Sequence, residues 1–168
     1  FDKRYILSFT ARADGSSKLP PGNKWGFFPA GAAAWNVSDE KFWNVRPIND
    51  LKLRVSYGMT GNNGIGLYDA YGSYSTAPNY AGHSTTIASA MANSALRWET
   101  TTQFDIGFDL GMFQNRLRIV ADYYNKVTDN MIFSITLPDT SAYSSVKANV
   151  GSARFSGFEL EVHSINVQ

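Results

Sequence analysis

The chain has 168 residues, a net charge of +1 and no cysteine, with 11 Phe, 9 Tyr and 4 Trp. A near-neutral balance leaves no electrostatic footprint for nucleic acid, and the missing cysteines exclude a disulfide frame and a thiolate metal site. No apolar run approaches the roughly 20 residues that a transmembrane helix needs, but strands of alternating character escape that test.

The pattern is period two from the start, which is the signature of strands with two unlike faces. In YILSFTARAD, Tyr5, Leu7, Phe9, Ala11 and Ala13 share one face, and Ser8, Thr10, Arg12 and Asp14 the other. The polar stretch DGSSKLPPGNK then breaks the strand with glycines and paired prolines. A second strand is expected over 25–37, WGFFPAGAAAWNV, with large aromatics at both ends and small residues between. Trp and Tyr favour the headgroup level, so this distribution suits a strand that crosses two membrane interfaces. A sheet with aromatic packing at its ends accounts for it equally well. SDEKFW reads as a short helical turn capped by Ser38 or Asp39.

The third strand, LKLRVSYGMTGNNGIG, sets Leu51, Leu53, Val55, Tyr57 and Met59 against Lys52, Arg54, Ser56 and Thr60. After it, residues 61–95 carry hardly a charge beyond Asp69 and are expected to form a long loop, with LYDAYGSYS as a strand extension. Loops of that length inside a compact domain tend to carry function. The clearest strand is LRWETTTQFDIGFDLGMF, alternating without a break from Leu96 to Leu110. It is far longer than the usual 5–6 or so residues of a soluble strand, and a bilayer requires about 9–11. MFQNR is a tight turn, and LRIVADYYNK returns. MIFSITLP is expected to continue the same sheet, DTSAYSSVKANVGSA to be a loop, and RFSGFELEVHSINV to be the last strand, ending near Val167.

Connections after the first, third and fifth of these strands are long or polar, and those after the second and fourth are shorter. Outer-membrane barrels segregate their loops in this way, and a sandwich has no reason to. The expected fold class is therefore all-β, about six long antiparallel up-and-down strands forming part of a large transmembrane barrel. Arg12, Lys52, Arg54, Arg97, Glu99, Asp105, Asp109, Arg118, Asp122, Glu159 and Glu161 all oppose apolar residues. On a soluble sheet they would be the solvated face; in a barrel they line the lumen, pairing across neighbouring strands or holding something packed inside.

Catalytic chemistry is not evident. The two histidines have no metal-ligand spacing, and no nucleophile elbow or phosphate-binding fingerprint is present. GNNGIG follows a strand but no helix comes after it, and Glu159 with Glu161 are explained as lumen acids rather than glycosidase carboxylates. The chain is not expected to be an enzyme, to bind a cofactor or metal, or to bind nucleic acid.

The segments RADGSS, WGFFPAGAAAW, DLKLRVSYGMTGNN, LRWETTTQFDIGFDLGMFQNRL, DYYNKVTDNMI and NVGSARFSGFELEV together resemble the C-terminal barrel region of SusC/RagA-type TonB-dependent transporters of Bacteroidota outer membranes. The resemblance runs along the whole chain. It implies a plugged barrel of about 22 strands, import of oligosaccharides or peptides driven by TonB, and a SusD-like surface lipoprotein over the outer mouth. It also implies that residues 1–168 are a partial barrel domain. The chain opens at Phe1 and ends inside a strand-like run, so both ends read as cut. The plug, the TonB-contacting part and the remaining strands would lie elsewhere. Tyr68, Tyr71, Tyr74 and Tyr80 would then lie on an outer loop, stacking on sugar rings, meeting the lipoprotein or packing the loop onto its neighbours. A passive pore and a soluble β-sandwich binding module remain the other readings.

Overall fold

The computed structural model describes residues 4–166. Ten strands run in order: β1 (Tyr5–Gly15), β2 (Trp25–Asn36), β3 (Ile48–Asn62), β4 (Ser73–Tyr80), β5 (His83–Met91), β6 (Glu99–Met112), β7 (Leu117–Asp129), β8 (Ile132–Thr136), β9 (Ser145–Asn149) and β10 (Ser152–Ser164). Six of them form one sheet in the order β1-β2-β3-β6-β7-β10, and β4-β5-β9-β8 form a second. Every neighbouring pair in the large sheet is antiparallel. Its longest strand, β3, has 15 residues and β6 has 14.

The register joins the apolar sides of all six long strands into one surface. One row runs Leu7, Ala33, Val55, Ile106, Tyr123, Phe158, and the next runs Tyr5, Trp35, Leu53, Phe108, Ala121, Leu160. This surface is uncovered: Leu7 is 82 % exposed, Phe9 77 % and Phe158 85 %. A water-soluble sheet buries its apolar face and solvates the other. At the middle of this sheet the amphipathic order is inverted, because the side chains of Asp109 and Asp122 on the opposite face are only 16 % and 28 % exposed; the edge strands β1 and β10 are open on both faces.

The core sits at one end of the sheet, where the long connections meet. Leu19, Ile65, Ala70 and Leu96 are buried together, and Trp98 and Ile132 pack on them. Leu19 and Leu96 are wholly buried. These residues and the connections that carry them form a collar at that end of the sheet, and truncating Leu96 to alanine should cost it about 2–5 kcal/mol through transfer and cavity terms. Protease nicking of the long connections in the folded full-length protein should then rise, while the six long strands stay protected.

The second sheet corrects the sequence reading. Residues 61–95 are not one loop but carry the β4–β5 hairpin, turned by Ala81 and Gly82 in left-handed conformations. The expected extension over 67–75 is largely a turn, held where Asp69 accepts the Gly66 N–H at 2.8 Å. MIFSITLP leaves the large sheet because Asn130 takes a positive φ of 57°, and β8 pairs instead with β9, inside the stretch expected to be a loop. The turn after β2 is a single 3₁₀ turn, Val37–Asp39, preceded by Asn36 and without a side-chain cap; Ser38 Oγ instead donates to Asp50 Oδ1. The expected end of the last strand at Val167 lies outside the described residues.

Candidate functional site

The polar face of the large sheet is organised around Arg54 on β3. Its ladder row reads Arg54, Gly107, Asp122, Glu159 across β3, β6, β7 and β10. Gly107 carries no side chain, so the guanidinium reaches over β6 to the second strand along. Arg54 Nη2 donates to Asp109 Oδ1 at 2.9 Å and to both carboxylate oxygens of Asp122 at 3.1 Å. A Cβ on Gly107 would collide with the Asp122 carboxylate. Next along β6, Asp105 accepts from Ser56 Oγ at 3.0 Å and from Gln103 Nε2 at 2.8 Å. Beside this cluster β2 presents Ala32 and Ala34, so a cleft opens between Ile6 and Ser8 on one side and Arg54 and Asp105 on the other. The arrangement is a half-buried charged wall with a small-residue trough, suited to seating an ordered partner.

The remaining polar-face residues spread along the same sheet. Lys52 opposes Asp109, and Glu161 opposes Val120 one row from Glu159. Arg118 lies opposite His163 near the end of the shorter turns, and Arg12 pairs with Asp14 at 2.8 Å on β1. Arg97 and Glu99 are drawn into the collar at the other end. Arg97 Nη2 donates to Asn130 Oδ1 at 2.7 Å, and Glu99 accepts the Ile132 N–H at 3.3 Å.

Asparagines build that collar, and nothing in the alternation pattern marks them. Asn149 Nδ2 donates to the carbonyls of Arg97 and Asn130, Asn93 Nδ2 to that of Lys147, and Asn23 Nδ2 to that of Leu96. Asn63, the middle of GNNGIG, donates to Ser16 Oγ at 2.6 Å. Their only sequence signal is an Asn beside a turn, where side-chain amides substitute for missing backbone partners. Of the four tyrosines, Tyr71 binds the collar through its hydroxyl, which donates to the Leu19 carbonyl at 3.3 Å. Tyr68 is exposed on the same turn, and Tyr74 and Tyr80 are exposed on β4.

At the opposite end, Glu40 is a second polar hub. It accepts from the Tyr5 hydroxyl at 2.5 Å, from Trp35 Nε1 at 3.2 Å and from Arg4 Nη1 at 3.3 Å. The Tyr5 and Trp35 bonds, and the Arg4 charge, hold its carboxyl below the ordinary range. A lowered carboxyl contributes stability at pH above its ordinary value and loses it as the pH falls through the lowered one. The Trp43 N–H, bonded to the Glu40 carbonyl, should therefore lose exchange protection on acidification. In a Glu40→Gln variant that acid-dependent loss should be absent.

An all-β sheet with an uncovered apolar face, a charged opposite face and long connections gathered at one end has the pattern of an outer-membrane barrel segment. Residues 1–167 fit the family described as TonB dependent receptor-like, beta-barrel. The chain belongs to the TonB-dependent receptor β-barrel family. The TonB-dependent receptor P3 of Formosa agariphila is 38 % identical over 99 % of this chain, and the TonB-dependent receptor SusC of Bacteroides thetaiotaomicron is 33 % identical over 95 %. The chain spans 17 % of the length of each. Among solved structures, the RagAB peptide importer in its closed-closed state superposes over all of this chain with a TM-score of 0.89 and 29 % identity, the match covering 19 % of that chain. The family is one of receptors and transporters in the Gram-negative outer membrane, not of enzymes. Barrels of this family type carry long loops on the outer side and short turns on the periplasmic side; in this TonB-dependent receptor segment the long connections share one end of the sheet with the buried cluster of Leu19, Ile65, Ala70 and Leu96.

Proposed function

We propose that the chain forms part of the wall of an outer-membrane nutrient importer of the SusC/RagA kind, in a Bacteroidota-like bacterium, taking up oligosaccharides or peptides. The observation that carries this reading is the sheet itself: six continuous strands expose their apolar residues, while the Arg54, Asp109 and Asp122 cluster on the opposite face is half-buried. Lipid is the partner that an uncovered apolar face of this extent requires. The polar face, from Lys52 and Arg54 to Glu159 and Glu161, faces the lumen and seats the plug. Outside, the exposed Tyr68, Tyr74 and Tyr80 and the second sheet face a SusD-like lipoprotein or the incoming substrate. TonB acts through the part of the receptor beyond this chain.

Fractionation and uptake measurements on the full-length receptor test this. The receptor should partition with the outer membrane, and substrate uptake should stop when TonB is deleted. Uptake that continues without TonB would favour a passive pore, and recovery in the soluble fraction would overturn the reading.

A further inference from the structure

The connection between β2 and β3 has a shape that wall closure alone does not require. Tyr5 and Trp35 end the apolar face at the short-turn side; they are ladder partners and stack at 6.2 Å with an interplanar angle of 16°. Glu40 receives hydrogen bonds from both. A residue beyond the end of β2 is thus tied to the apolar side of the wall rather than hanging free below it.

The segment after Glu40 is braced and amphipathic. The Trp43 N–H donates to the Glu40 carbonyl, the Ile48 N–H to the Val45 carbonyl, and Trp43 Nε1 to the Ile48 carbonyl at 3.4 Å. Phe42 is nevertheless 68 % exposed, and Val45 is exposed too. The cations Lys41 and Arg46 are exposed beside them. Exposed apolar side chains interleaved with cations suit the boundary between acyl chains and phosphates.

We propose that this turn is a membrane-surface anchor: tethered by Glu40 to Tyr5 and Trp35, it lays Phe42 and Val45 into the headgroup layer of the inner leaflet and sets Lys41 and Arg46 against phospholipid phosphates. Two features select lipid over a protein as the occupant. The turn continues an apolar face that already meets lipid, and its two exposed cations complement phosphate. The inference rests on the barrel reading above.

The test uses full-length receptor, free of native cysteines, in nanodiscs of phosphatidylethanolamine and phosphatidylglycerol. Single cysteines V45C, L160C and S84C are labelled with a small fluorophore and quenched by nitroxide lipids or aqueous iodide. Leu160 lies on the wall and Ser84 on the exposed outer hairpin. The V45C label should be quenched several-fold more by a headgroup nitroxide than the S84C label, and L160C most by a mid-chain nitroxide. Adding F42D, or K41E with R46E, should return V45C toward the iodide access of S84C. If V45C matches S84C while L160C is lipid-quenched, a water- or protein-facing turn replaces the anchor. If L160C also escapes lipid quenching, the barrel reading itself falls.

Discussion

Replacing Ile106 with arginine should destabilise the folded receptor by about 2–4 kcal/mol, the range for a cation on the lipid face near the bilayer midplane. Ile106 lies on a central strand, between Val55 and Tyr123, and is 50 % exposed. Those two facts give opposite forecasts in the two solvents. If water covered this face, a half-exposed isoleucine could become arginine within roughly half a kcal/mol, as surface substitutions do. In lipid the guanidinium must be drawn from water into hydrocarbon or distort the bilayer to reach the headgroups. The measurement is the urea midpoint of the full-length receptor refolded into vesicles, compared with Ile106→Leu. A shift no larger than that of the leucine variant would mean that the face does not meet lipid.

Gly107→Val should also destabilise the folded receptor, on the other side of the same strand. The new Cβ would meet the Asp122 carboxylate and lie 2.8 Å from the Ala121 carbonyl oxygen. The carboxylate can swing away, but the carbonyl belongs to a paired strand and cannot, so overpacking of about 1–3 kcal/mol is expected. Displacing Asp122 also removes two of the three contacts of Arg54 Nη2. That electrostatic share is discounted to roughly 1 kcal/mol or less, because the Arg54 side chain is 38 % exposed. Asp122→Asn separates the two parts: it weakens the ion pair without the collision and should cost only that smaller share. Thermal unfolding of the three receptors in detergent gives the ranking, and equal midpoints for Gly107→Val and Asp122→Asn would show that the backbone collision is relieved.

Strand length and parity make the large sheet legible in the sequence. Leu51, Leu53 and Val55 fall on one side whatever the solvent, and the observed rows join them to Leu110, Phe108 and Ile106 in the expected sense. The second sheet is not legible. β4 reads SYSTAPNY and β5 HSTTIASAM, with most residues exposed, so no buried face imposes alternation. Periodicity reports burial contrast, and where there is none a hairpin resembles a loop. Arg97 shows a different limit. Its parity matches the wall charges, but it precedes the first residue of β6, and its partners Asn130 and Asn149 lie far along the chain. Gly107 could be read as a weak point in a strand; that Arg54 crosses over it is tertiary information. Glu40, placed in a turn by its neighbours, gave no hint that three side chains from the base of β1 and β2 converge on it.

The alternation also bears on how such a chain travels to its membrane. Spread over every second residue, its apolar side chains never form the long helical run that insertion machinery takes up, and no described helix is long and apolar enough to cross a bilayer. An unpaired chain of this pattern offers an inner membrane no apolar helix of about 20 residues to hold. Once the six strands pair, the apolar halves merge into one continuous surface. Pairing in water, rather than the sequence itself, is the hazardous step, so safe delivery depends on holding the strands apart until lipid is at hand.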